Sequence, residues 1–203
     1  MTAPATTPTA PEHVDAAPDG PDRAVQVVTV GAVVWLSSEL MFFAGLFGAY
    51  LTLRGSAEGP WPPRGAELEV PLALGLTAVL LVSSVTVHAG VAALRRGDVV
   101  RFRTWIVVTA VLGALFLAGQ AYEWSALEFG VGDHSYATSF FTITGFHGLH
   151  LLAGVLALAV LAARSLSAGF DRSRLPTAEV TSYYWHFIDG VWIAVLVLLY
   201  LVA

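Results

Sequence analysis

Seven titratable residues fall inside long apolar stretches of the sequence: Glu39, His88, Glu123, His147, His150, His186 and Asp189. A charge at the centre of a bilayer costs about 3 kcal/mol or more, so each of these groups must be neutral, paired or used. His186 and Asp189 stand three apart in "YYWHFIDGVW" and share one helix face. An Asp there can accept a hydrogen bond from the imidazole and fix its tautomer. His147 and His150 have the same spacing in "TGFHGLHLLAG". They suit either a metal or haem site or a packing pair, with Gly145 and Gly148 marking a tight crossing.

Glu39 lies near the middle of "WLSSELMFFAGLF", beside Ser37 and Ser38. It is either a neutral carboxyl hydrogen-bonded to a neighbouring helix or a proton-linked or lipid-facing group. His88, in "SSVTVHAGVAAL", reads most simply as a satisfied packing residue. Residue counting puts His88, His186 and Asp189 at similar depth, with Glu39 deeper in the same half. These four are candidate proton-linked or buried polar residues that can cluster. Ser38, Glu123, His147 and His150 are candidate polar residues of helix packing.

The elements that must position these groups are helices. The chain has 203 residues, 56% hydrophobic and 12% charged, against roughly 25% charged in soluble domains. Five stretches reach the ~20 residues that cross a bilayer. They run over about 24–53, 70–94, 104–122, 137–163 and 180–202. The expected fold is therefore an all-α integral membrane protein, a bundle of five transmembrane helices over 24–203. Residues 1–23 are rich in Pro and Ala and read as a disordered tail without the features of a secretory signal. With no cysteine and no lysine, disulfides, zinc–thiolate sites, iron–sulfur clusters and Schiff bases are excluded. Neither an internal repeat nor an inverted duplication is visible.

Arginine placement predicts orientation. One side would hold Arg23, Arg95, Arg96, Arg101, Arg103, Arg164, Arg172 and Arg174, the other only Arg54 and Arg64. The N-terminus is expected in the cytoplasm and the C-terminus outside. Arg95, Arg96 and Arg164, at span ends, are candidate lipid-headgroup ligands. Gly45 with Gly48, and Gly113 with Ala110 and Ala114, are expected to let helix backbones approach closely.

Four stretches together resemble subunit III of the haem–copper terminal oxidases: "SSELMFFAGLF" (37–47), "SSVTV" (83–87), "GFHGLH" (145–150) and "YYWHFIDGVW" (183–192). The acidic first motif and "YYWHF" are most similar to the actinobacterial cytochrome c oxidases. The resemblance implies an accessory, non-redox subunit of an aa3-type oxidase in the bacterial cell membrane, within the aerobic respiratory chain. It implies no cofactor bound by this chain, with haem a and copper in partner subunits. It implies contact chiefly with subunit I, then with subunit II and small subunits, and a cytochrome bcc complex in a supercomplex. Phospholipid is an expected ligand, and no nucleic acid is expected. The implied roles are support of proton uptake, lipid retention and durability of the catalytic subunit. Glu39 matches the family's buried glutamate, His186 and Asp189 its "YWHFxD" pair, and His147 and His150 its "FHGLH" pair. The seven-helix form holds lipid in a cleft between its first two helices and the other five. This chain matches the last five, so that cleft cannot exist here in the same form.

Rival readings stand beside this one. Within the superfamily they are subunit III of a quinol oxidase and a nitric-oxide-reductase accessory protein; the carboxyl at Glu39 favours the cytochrome c type. Outside it they are a haem-binding membrane cytochrome using the four intramembrane histidines, and a small proton-coupled transporter using Glu39 and Asp189. Six histidines, two of them in tail and loop, cannot ligate two haems and a copper, so this chain alone cannot reduce oxygen.

Overall fold

The computed structural model describes residues 21–66 and 68–202, and all of their long elements are helices. They are α1 (Pro21–Gly55), α2 (Val70–Arg95), α3 (Val99–Ala126), α4 (Ser135–Arg164) and α5 (Leu175–Val195). A single 3₁₀ turn, Arg172–Arg174, precedes α5, and a π-helical segment, Leu196–Leu201, continues it. All five helices are long and apolar enough to cross a membrane. Most of the expected tail lies outside the described residues; residues 21–23 are already helical.

The helices are longer than the apolar spans because polar caps keep their ends wound. Asp98 accepts from the Arg101 amide at 3.0 Å and starts α3 five residues before the expected span. His134 Nδ1 accepts from the Ala137 amide at 2.9 Å and starts α4. Pro176, in the first turn of α5, suits a helix start because no intrahelical partner awaits its missing N–H. Hydropathy marks the part that lipid solvates, whereas capping decides where the helix stops.

Helices α2, α3, α4 and α5 close a ring of neighbours, each packed on the next, and α1 lies outside against α4 and α5. Lipid tails are as apolar as leucine, so fit and polar bonds hold such a bundle together. The fit centres on Trp185 of α5, which is fully buried. Its indole passes between Gly113 of α3 and Gly154 of α4. A Cβ at Gly113 would lie 2.5 Å from the ring, and one at Gly154 3.0 Å. Its Nε1 donates to Ser83 Oγ of α2 at 2.9 Å. One side chain thus ties all four ring helices. The expected role of Gly113, backbone approach, is replaced by accommodation of this ring. A Cβ added at Gly45 or Gly48 would meet nothing within 4 Å, so these two join no helix crossing among the described residues.

The five antiparallel spans gather Arg95, Arg96, Arg164, Arg172 and Arg174 at one end and Arg54 with Arg64 at the other. At the arginine-poor end the last turn of the π-helical segment presents carbonyls without intrahelical partners. Tyr50 of α1 donates to Leu198 O at 3.1 Å and Tyr136 of α4 to Leu199 O at 3.2 Å. The last turn of the chain is thereby tied to both neighbouring helices.

Candidate functional site

The sequence places Glu39 a few turns into α1, where the helix faces α4. Glu39 Oε2 lies 3.0 Å from His150 Nε2. The other ring nitrogen, Nδ1, lies 2.7 Å from Phe146 O, one turn back on α4. A carbonyl oxygen only accepts, so Nδ1 carries a hydrogen. That leaves one proton between Nε2 and Oε2. The pair is either a neutral imidazole facing a carboxylic acid or an imidazolium facing a carboxylate. Both forms are neutral overall, which a membrane interior tolerates. The side chains remain 16% (His150) and 23% (Glu39) exposed. Phe42 and Phe43 of α1 flank the imidazole, and Tyr184 of α5 donates to His150 O at 3.0 Å. Trp35 of α1 stacks on Tyr184 at 5.0 Å between centroids.

A second polar group joins α2 to α5. Ser84 Oγ donates to Asp189 Oδ2 at 2.7 Å and lies 2.7 Å from His186 Nδ1. With its hydrogen directed at Asp189, the hydroxyl accepts from the imidazole. The His–Asp dyad of the last span is therefore bridged by a hydroxyl from another helix. Asp189 is buried, and its Oδ1 has no partner among the described residues. His186 is exposed, as is His88, one turn beyond Ser84 on α2.

Two residues three apart on α4 meet different surroundings. His147 is fully buried, with neither ring nitrogen bonded among the described residues. Its ring lies 5.1 Å from that of Trp192 and 5.9 Å from that of Phe116. His150 is engaged with α1. The two residues therefore pack in different places: the backbone of α4 turns one inward and the other outward. Aromatic rings of α3 and α5 thus pack on His147. Among the described residues no three His, Asp or Glu side chains converge as metal ligands.

Sequence and geometry now meet in known proteins. A family model described as cytochrome c oxidase subunit III matches residues 21–203. The chain belongs to the cytochrome c oxidase subunit III family. It is 45% identical over 179 residues to a probable cytochrome c oxidase subunit 3 of Nocardia farcinica, covering 87% of this chain and 88% of that protein. It is 48% identical over 181 residues to the cytochrome c oxidase subunit 3 of Corynebacterium diphtheriae, with the same coverage. The cytochrome c oxidase subunit 3 of Thermostichus vulcanus is 40% identical over 189 residues, covering 93% of this chain and 92% of that protein. The chain is thus an accessory subunit III of a membrane oxidase, a multi-pass membrane protein that works in a complex with other oxidase subunits.

In this subunit III the four residues expected to cluster divide into two groups. His186 and Asp189 meet through Ser84 on the α2–α5 side, with His88 one turn along α2 from Ser84, whereas the partner of Glu39 is His150, on the α1–α4 side. Ser38 is exposed and bonds Val34 O in its own helix at 3.1 Å, so it does not join two helices. Glu123 is buried and accepts from Tyr200 at 2.9 Å, which does join α3 to the end of α5. Arg95 pairs with Glu179 at 2.7 Å. Arg96 and Arg164 are exposed without an ion pair among the described residues. Sequence reasoning missed Ser84. Its signal was present in "SSVTV", but a serine in an apolar helix ordinarily bonds its own backbone, as Ser37 and Thr77 do.

Proposed function

We propose that this chain serves an aa3-type cytochrome c oxidase as a proton-supporting and lipid-retaining subunit, packed on the haem- and copper-bearing subunit I. The observation that carries the reading is the Glu39–His150 pair, a carboxyl and an imidazole 3.0 Å apart on two apolar helices. The serine-bridged His186–Asp189 group offers a second hydroxyl-linked path on the opposite side of α5.

Under the positive-inside rule the arginine-rich end lies in the cytoplasm. Headgroup binding there is supported by a cavity of about 240 Å³ lined by Arg164, Ser167, Phe170, Arg174 and Thr177. Two guanidinium groups beside two hydroxyls, over an apolar wall, suit an anionic lipid phosphate. Asp171 orders this loop by accepting from the Ser173 amide at 2.9 Å. The Ser173 hydroxyl and then its amide hold the Asp171 carboxyl below the usual carboxylate range. Subunit II, small subunits and a cytochrome bcc complex complete the proposed assembly, and cytochrome c is the proposed donor.

The test is Glu39→Gln in the assembled oxidase, with turnover, proton pumping and inactivation over many turnovers measured together. The expected result is reduced pumping or faster inactivation with the subunits still co-purifying. Wild-type values for all three leave Glu39 a structural residue only.

A further inference from the structure

Polar side chains on the outer faces of the spans fall into two kinds. Ser37 and Ser38 are exposed, and each bonds a carbonyl one turn back in its own helix. Lipid around them therefore costs little. The face shared by α2 and α5 is different. His186 and His88 are both exposed there. His186 spends Nδ1 on the Ser84 hydroxyl, but its Nε2 has no partner among the described residues, and neither has either ring nitrogen of His88.

Depth and tautomer together define what His186 lacks. It lies at the middle of the span Arg172–Leu201, and Ser84 lies near the middle of Val70–Arg95. Water and lipid headgroups do not reach that depth. The Ser84 hydroxyl gives its hydrogen to Asp189 and so accepts from His186 Nδ1. A neutral imidazole with its hydrogen on Nδ1 has a bare acceptor at Nε2. Acyl chains carry no donor, so lipid cannot satisfy this nitrogen. The donor must come from protein.

The relief of the same face admits a helix. Tyr183, His186, Gly190 and Ile193 are exposed along α5, and Leu81, Val85 and His88 along α2. A Cβ at Gly190, one turn past His186, would meet nothing within 4 Å, so the packing of this chain does not require a glycine there. It leaves a dent beside the unbonded nitrogen, where a neighbouring backbone can come close. We infer that this face receives a transmembrane helix of another oxidase subunit, which donates a hydrogen bond from a hydroxyl, amide or indole side chain to His186 Nε2. The inference rests on the reading of the chain as a subunit packed within an oxidase, and adds which face is covered and by what chemistry. The donor would extend the Ser84 bridge into a chain of hydrogen bonds from the partner helix to the buried Asp189.

The test tags this chain in cells that assemble the oxidase, dissolves the membranes in a maltoside detergent and measures the other subunits that co-purify. Gly190→Leu fills the dent without a clash inside the chain, and His186→Leu removes the acceptor. Each should cut co-purification roughly tenfold at an unchanged level of the chain in the membrane. Val111→Phe adds similar bulk at an exposed position of α3 and should leave it unchanged. If a leucine variant is lost from the membrane, Ile193→Cys decides instead. The native chain has no cysteine, so it is the blank for a benzophenone maleimide attached at that thiol. A light-induced adduct with another oxidase subunit is expected. Wild-type co-purification of both leucine variants, an equal loss with Val111→Phe, or adducts only with lipid or with a second copy of this chain overturn the inference. A wild-type chain that brings down no oxidase subunit overturns the oxidase reading itself.

Discussion

His150 Nε2 stands 3.0 Å from Glu39 Oε2, joining α4 to α1 across the least embedded helix of the bundle. Because His150 Nδ1 is spent on Phe146 O, the contact has one proton to share and no alternative donor. Hydrogen bonds between membrane helices average about 0.6 kcal/mol, and charge assistance strengthens them. A double-mutant cycle of Glu39→Ala and His150→Ala, read by thermal unfolding of the assembled oxidase, should return a coupling of about 1 kcal/mol. Additive losses would mean that the pair does not hold α1 in place.

Ser84 is the second prediction. Its hydroxyl is the only partner of Asp189 Oδ2 among the described residues, and Oδ1 already has none. Ser84→Ala therefore leaves a whole buried carboxyl bare, at a cost of about 1–3 kcal/mol. Removing the acid as well should recover most of that loss, because an apolar pair leaves nothing unsatisfied. Unfolding midpoints of Ser84→Ala and of Ser84→Ala with Asp189→Leu check both statements. Equal midpoints for the two variants would show that the carboxyl finds another partner once the serine is gone.

How far the sequence discloses this arrangement depends on the range of the interaction. Hydropathy reveals five spans because each is a local property of about 20 residues. The i, i+3 spacing likewise discloses which histidines share a turn. It does not disclose that His147 points among Phe116 and Trp192 while His150 meets Glu39, because a separation of three residues is about 60° short of a full turn. Partners from another helix are set by packing order, and α1 packs chiefly on α4 and α5. Ser84 escapes for the same reason: its partners lie 102 and 105 residues away. The tie at the end of the last helix escapes too, since Leu198 O and Leu199 O accept from Tyr50 and Tyr136 of distant helices.

The glycines provide a test of which close approaches matter. Both Gly45 and Gly113 stand in small-residue stretches that sequence alone treats alike. A Cβ at Gly113 would lie 2.5 Å from Trp185 Cη2 and 2.8 Å from Val155 Cγ2, whereas one at Gly45 meets nothing within 4 Å. Trp185 cannot withdraw freely, because its Nε1 is bonded to Ser83 and Gly154 confines its other edge. Gly113→Ala should thus force an off-rotamer indole or a backbone shift, costing about 1–3 kcal/mol. Gly45→Ala should be neutral or stabilising by up to about 1 kcal/mol, since alanine is the better helix former and the site is open. Thermal unfolding of both variants in one detergent compares them directly. A loss at Gly45 equal to that at Gly113 would point to a partner surface lying on α1, while no loss at Gly113 would mean that the indole has a second resting place between α3 and α4.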